Sequence, residues 1–246
     1  MAPVRQIFPT PLDDLDDDAL FAAYAHPEER LWVRANMVSS LDGAASLEGR
    51  SGGLSSPADK RVFRVLRALA DVVLVGASTV RAEGYAAVLP KETAPERRAA
   101  AGQPPTAAIA VVTRSLDLDL GSRLFSGPRR SLVVTCAAAG EERLAAAAEV
   151  ADVVVAGDDG VDLRRAVDAL AERGLRRVLC EGGPGVLAQA VAAGVVDELC
   201  LTLSPQLAAG SASRILAGPA LDPAVRFRLA SVLQEQDELL LRYSCS

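Results

Sequence analysis

Three corners of this chain carry the residue types from which a ligand site can be built. Glu181-Gly182-Gly183-Pro184-Gly185 follows an apolar run and precedes a helical pattern. Glycines at such a turn let backbone N–H groups approach an anion, and the helix N-terminus adds a favourable field, so the corner suits a pyrophosphate. Gly183 is where the backbone is expected to come closest and to adopt positive φ. Glycines also occupy such turns for steric reasons alone, and the run does not match G-x-G-x-x-G, so the standard dinucleotide fingerprint is absent. Gly76-Ala77-Ser78-Thr79-Val80-Arg81 follows a second apolar run, and the hydroxyls of Ser78 and Thr79 are helix N-cap candidates that also suit phosphate or ribose oxygens. Ser39-Ser40-Leu41-Asp42-Gly43 ends a third run. An Asp before Gly is common in plain turns, yet three corners that each follow a strand fall together at the carboxyl edge of an open α/β sheet, where ligands collect. Glu83 stands about one helical turn beyond Ser78 and Thr79, which aims its carboxylate along the same edge. With Asp42 it is a candidate proton donor, the alternative being a solvated position beside Arg81.

The elements that must hold these corners are legible from periodicity. Residues 31–39 read as a strand ending in a turn, and Ser56-Pro57 gives an N-cap with proline at the first helical position. Val62, Val65, Leu66 and Leu69 then recur at helical spacing to about Ala70, and Val72-Val73-Leu74-Val75-Gly76 reads as a fully buried parallel strand. Residues 85–106 form a long excursion with a short helix near 95–101. Strands are expected at 107–113, 131–136, 152–156, 177–181 and 198–203, and helices at 141–150, 162–173 and 185–193. Residues 226–234 and 239–244 form a hairpin that finishes one edge antiparallel. The alternation argues for an α/β fold with a mostly parallel central sheet flanked by helices. Residues 1–30 are read as an acidic lead-in and 31–246 as one domain.

Composition narrows the function classes. The chain has 246 residues, half of them hydrophobic, with 26 Lys and Arg against 32 Asp and Glu, a net charge of −6. It can bury a sizeable core unaided, and its scattered arginines lack the footprint of a nucleic-acid binder. Cys136, Cys180, Cys200 and Cys245 show no C-x-x-C spacing, which fits a reduced, cytoplasmic protein without a zinc site. His26, the lone histidine, precedes Pro27 in a polar stretch and is expected at the surface rather than in catalysis. The first eighteen residues do not read as a signal peptide, and no segment reaches the ~18 apolar residues of a membrane span.

At these motifs the chain resembles the pyrimidine reductases of riboflavin biosynthesis, whose fold is dihydrofolate-reductase-like. The likeness spans about residues 31–244 and is carried by Ser40-Leu41-Asp42-Gly43, by Leu66-Arg67-Ala68 leading through Asp71 to the residues 75–81 block, and by Glu181-Gly182-Gly183-Pro184 followed by Val196-Asp197-Glu198-Leu199. The resemblance implies NADPH bound along the carboxyl edge, usually in a homodimer, with hydride delivered to the opened ribose of a phosphoribosylamino-uracil. By matching position it places Val38, Ser78, Thr79 and the turn Gly182, Gly183, Pro184, Gly185, Val186 and Leu187 at the cofactor. Thr113, Arg114 and Ser115 fall near the adenosine ribose, where Arg114 suits a 2′-phosphate or stays solvated. Ser51, Arg67 and Glu181 match substrate-side positions, a hydroxyl and a cation suiting a phosphoryl group and a carboxylate suiting sugar hydroxyls or a ring N–H. The chain departs from the family where Glu83-Gly84-Tyr85 replaces Asp-Asp-Pro, where Pro90 beside Lys91 replaces a basic residue, and where Gly53 replaces an aromatic. The H-x-E and P-C-x-x-C of the zinc deaminase partner domain have no counterpart. Those departures motivate two rival readings, a pteridine or dihydrofolate reductase on the same fold and an NADPH-binding protein without turnover.

Overall fold

The computed structural model describes residues 3–27 and 30–245. Ten strands form one sheet: β1 Arg5–Phe8, β2 Trp32–Ser40, β3 Val72–Gly76, β4 Ala108–Val112, β5 Leu132–Thr135, β6 Asp152–Val155, β7 Arg177–Cys180, β8 Glu198–Ser204, β9 Phe227–Glu235 and β10 Glu238–Cys245. Their spatial order is β1-β9-β10-β8-β2-β7-β3-β4-β5-β6. From β8 to β6 every pairing is parallel, while β10, β9 and β1 add antiparallel strands at one edge. The expected α/β architecture is therefore present, including the C-terminal hairpin.

Helices α2 Pro57–Leu69, α3 Ala77–Glu83, α4 Pro95–Ala100, α5 Glu141–Val150, α6 Leu163–Glu172 and α7 Pro184–Ala192 flank the sheet. Alternation along β3 shows why both faces need cover. Val72 and Leu74 pack with α6 and α7 residues such as Leu170 and Leu187, whereas Val73 and Val75 pack with α2 residues such as Val62 and Leu66. Ser56 caps α2 by accepting from Asp59 N, and Pro57 follows at the first helical position. Asp71, between α2 and β3, accepts Arg177 Nη2 at 2.8 Å and the backbone amides of Arg176 and Arg177. Burial opposes its charge, but the Arg177 contacts outweigh it and lower its pKa, tying β3 to β7.

The stretch read as a lead-in contributes to the same body. β1 pairs with β9, and a further helix, α1 Asp17–Ala23, is capped by Asp16 and buries Leu20 against the α2-side core. The acidic cluster is thus a helix start, since Asp17 and Asp18 in the first turn favour the positive end of the helix. His26 corrects a second expectation. It is half-buried, its Nδ1 is buried without a partner, and burial together with Arg34 and Arg177 lowers its pKa to about 3, so it stays neutral. Cys136, Cys180 and Cys200 are buried and Cys245 is exposed, all as free thiols. Among the described residues no helix is long and apolar enough to cross a membrane.

Candidate active site at the carboxyl edge

The ends of β3 and β7 lie side by side and build one cradle. Gly76 N donates to Gly182 O at 2.7 Å, joining the two corners across the sheet edge. A Cβ on Gly76 would meet Val186 Cγ2 at 2.9 Å, one on Gly182 would meet Met37 Sδ at 3.1 Å, and one on Gly183 would meet Thr79 Oγ1 at 2.4 Å. Positive φ falls on Gly182, at 76°, and not on Gly183, whose φ is −67°. Gly183 is therefore required by the approach of Thr79 rather than by backbone conformation.

Gly183 is the N-cap of α7 and no side chain caps that helix. Pro184 has no N–H, and Leu187 N closes the first helical bond onto Gly183 O at 3.0 Å. The amides of Gly185 and Val186 are left outside the helical ladder. Two expectations change here. Val186 packs its side chain on Gly76, and Leu187 is fully buried with its amide already used, so Leu187 supports the turn from the core instead of touching a ligand. At the neighbouring corner, Gly76 is the N-cap of α3 and neither Ser78 nor Thr79 caps it. Ser78 is exposed and Thr79 half-buried, which leaves both hydroxyls for other donors. Val38 is buried near the end of β2, on the strand face opposite Met37.

One strand further along, Thr113 uses its hydroxyl to accept Leu116 N at 3.1 Å, holding the turn that exposes Arg114 and Ser115. Arg143 Nη1 donates to Ser115 O and Arg81 Nη1 to Asp117 O, each at 2.8 Å. Two guanidinium groups thus reach this corner beside the exposed Arg114, and Arg81 also lies 3.7 Å from the Asp117 carboxylate. Arg143 and Arg81 were missed in the sequence because they reach it from α5 and α3, and only the periodicity of those helices pointed their way.

The substrate-side residues also converge, on one another. Arg67 Nε and Nη2 each donate to Glu181 at 2.7 Å, and Tyr85 OH donates to Glu181 Oε2 at 2.5 Å. Arg67 lies against the rings of Phe63 and Tyr85, 4.3 and 5.5 Å from their centroids. Burial works against its charge, but Glu181 prevails and raises its pKa, while burial and then Glu181 raise that of Tyr85. The pair is a neutral, bidentate unit, so Arg67 is no free cation for a phosphoryl group. Tyr85, which stands in the Asp-Asp-Pro departure, is the third member of this cluster.

Glu83 Oε1 accepts Ser51 N at 2.7 Å, which fastens the loop carrying Ser51 to the end of α3. The expectation for Asp42 is corrected. Its carboxylate accepts Ser40 Oγ, Ala208 N and Ala209 N, and the Ser40 bond followed by the two amides lowers its pKa to about 2. It holds two loops together and carries no proton to give near neutrality. Gly53 is exposed and accepts Gln206 Nε2 on its carbonyl.

Residues 31–241 match the family model of the RibD C-terminal domain. A 2,5-diamino-6-ribosylamino-4(3H)-pyrimidinone 5′-phosphate reductase of Archaeoglobus fulgidus is 30% identical over 177 residues, covering 72% of this chain and 81% of that protein. The enzyme of the same name from Methanothermobacter thermautotrophicus is 28% identical, covering 87% and 98%. Among solved structures, a pyrimidine reductase-like protein of Corynebacterium diphtheriae superposes with a TM-score of 0.79 at 29% identity, covering 88% of this chain and 92% of that one. A riboflavin biosynthesis reductase of Saccharomyces cerevisiae shares the fold at a TM-score of 0.66 and 18% identity, covering 92% and 94%.

Proposed function

The chain belongs to the RibD C-terminal domain family, and on that premise we propose that it is an NADPH-dependent reductase of a ribosylaminopyrimidine phosphate. The observation that carries this reading is the glycine cradle of β3 and β7. A helix start without a side-chain cap stands beside Thr79, so close that a single Cβ on Gly183 would collide with it. Such a cradle fits a pyrophosphate through the amides of Gly185 and Val186 and the hydroxyls of Ser78 and Thr79. The exposed Arg114 beside Arg143 and Arg81 fits a 2′-phosphate, which favours NADPH over NADH. The bound cofactor would supply a hydride, and the protein would supply position and a proton.

Arg67, Glu181 and Tyr85 are joined next to the Gly182 corner, and Ser51 is tied to the end of α3 through Glu83. Their role is to orient the sugar, with Glu181 as acceptor for hydroxyls and Ser51 as donor. Glu83 is the proton donor in this reading. Its Oε1 is fixed by Ser51, and Oε2 has no hydrogen bond to the described residues. The site needs no reactive nucleophile, in keeping with the burial of Cys180 at the end of β7 and of Cys136 just after β5.

A homodimer is part of the proposal. The half-buried apolar row Leu199, Leu201, Leu203, Leu239, Leu241 and Tyr243, paired across β8 and β10, supports it, and light scattering tests it. The activity itself is tested by following oxidation of NADPH with the ribosylaminopyrimidine phosphate as acceptor. Consumption of NADPH with formation of the ribitylamino product is expected, and binding of NADPH without any turnover would refute the assignment.

A further inference from the structure

Between β8 and β9 the chain makes a long excursion along the carboxyl edge, and from Pro205 to Leu221 its only charged side chain is Arg214. Two backbone contacts pin the middle of that excursion. Ala45 N, just past the turn that follows β2, donates to Ser213 O at 2.8 Å, and Ala217 N donates to Pro184 O, in the first turn of α7, at 3.1 Å. A Cβ on Gly185 would lie 3.9 Å from Ala217 O, and one on Gly218 would lie 3.3 Å from Ala188 Cβ, so the segment rests on the start of α7. Between the pins, Ile215 and Leu216 pack against the core that α6 and α7 cover. Arg214 is exposed, and among the described residues no hydrogen bond, ion pair or ring contact holds its guanidinium.

The donors of the cradle beside it are neutral. They are the amides of Gly185 and Val186 and the hydroxyls of Ser78 and Thr79, while the adjacent Glu181 is matched by Arg67. A pyrophosphate brings two negative charges to such donors, and a guanidinium meets its oxygens with two parallel N–H groups. The three residues from Arg214 to Ala217 span at most about 11 Å, and the long arginine side chain extends from a backbone fixed at both ends. Arg114, Arg143 and Arg81 serve a different place. They reach the corner after β4, two strand spacings from β7 in the order β7-β3-β4, or about 10 Å.

Resting on the reductase reading, we propose that Arg214 is a further cofactor-binding residue, the cation that clasps the pyrophosphate from the side of the β8–β9 excursion. The pins at Ser213 and Ala217 place it in advance. Its backbone loses little freedom when the ligand arrives, and only the side chain has to be ordered. The assignment divides the cofactor's charges between two readers. Arg214 serves the pyrophosphate, which NADPH and NADH share, and the Arg114 corner serves the 2′-phosphate, which NADPH alone of the two carries.

Dissociation constants for NADPH and NADH, measured by calorimetry in the native protein, Arg214→Gln and Arg214→Lys, test the proposal. Arg214→Gln is expected to weaken both cofactors by the same factor, about ten- to a hundredfold for one charge-assisted pair, with the Tm of the ligand-free protein unchanged. Arg214→Lys keeps the charge without the fork and should fall between. Two fragments separate the readers: ADP should lose affinity in Arg214→Gln, and adenosine 2′-monophosphate should not. Native affinity for both cofactors in Arg214→Gln, a loss confined to NADPH, or an equal loss of both fragments overturns the proposal. A raised KM for the ribosylaminopyrimidine phosphate at unchanged cofactor affinity overturns it too, and hands Arg214 to the substrate's phosphate. With NADPH consumed by the native protein, each of those outcomes leaves the reductase reading standing. Binding of both cofactors through Arg214 without turnover supports the clasp and removes the reductase reading, and failure of the native protein to bind NADPH overturns both.

Discussion

Replacing Gly183 by alanine probes the cradle without reference to any ligand. The added Cβ would lie 2.4 Å from Thr79 Oγ1, where ordinary contact begins near 3.4 Å, so about 1 Å of movement is needed. Thr79 is stiff at χ1 and sits in α3, and Gly183 is anchored by the first bond of α7, so neither partner gives way freely. Overpacking of this kind costs about 1–3 kcal/mol. Thr79→Ala removes the colliding oxygen and leaves Thr79 Cβ, at 3.8 Å, as the remaining neighbour of the new methyl. Urea unfolding of the native protein, both single variants and the double variant closes a thermodynamic cycle. The double variant is expected to recover about 1–2 kcal/mol relative to additivity. Additive effects, within about 0.5 kcal/mol, would refute the contact and the steric account of Gly183 with it. In the same proteins NADPH affinity should fall for Gly183→Ala, and stay low in the double variant if the cradle holds the pyrophosphate.

Glu83→Gln keeps the acceptor for Ser51 N and removes the proton, so kcat is expected to fall by about 10²–10⁴ with little change in NADPH affinity, whereas Glu83→Ala should also raise the substrate KM. Native turnover by Glu83→Gln across the pH range would hand the proton to water. Arg114→Ala should lower the preference for NADPH over NADH by about ten- to a hundredfold, as loss of one charge-assisted pair worth ~1.5–3 kcal/mol implies. Arg143→Ala should act in the same direction, and equal dissociation constants for the two cofactors in the native protein would dismiss the arginine cluster as their reader. Asp42 has a folded pKa of about 2, below its usual 3.8, so its contribution to stability is present above about pH 4 and is lost as the pH falls toward 2. The stability difference between the native protein and Asp42→Asn should therefore shrink over that window in acid titrations, and a constant difference would remove the carboxylate from the loop junction.

Strongly periodic elements were legible and remote approaches were not. β3 reads directly from five apolar or small residues between Asp71 and a helix start, and α2 from Ser56-Pro57 with its apolar spacing. β1 and α1 escaped because a four-residue strand and a seven-residue helix carry too few repeats to stand out among prolines and aspartates. The site followed the same division. Its glycine corners were visible as strand-to-helix turns, but the collision partner of Gly183 lies 104 positions away at Thr79, so the reason for that glycine belonged to the tertiary structure. Arg67 and Glu181 were each picked out, yet nothing local says that they neutralise one another. Asp42 illustrates the opposite limit, since a turn carboxylate looks like an available acid until the amides of Ala208 and Ala209 are seen to use it.

The placement of β2 has a consequence for synthesis. This strand is the first long one to leave the ribosome, yet its two neighbours in the sheet are β7 and β8, whose residues lie in the last third of the chain. Until Arg177 and the residues after it emerge, both hydrogen-bonding edges of Trp32–Ser40 are without their native partners. Unpaired edges on an apolar strand invite association between nascent chains. Ribosome-bound or truncated chains ending before β7 should depend on a holdase to stay dispersed, and release should come within the short interval in which β7 and β8 are both made.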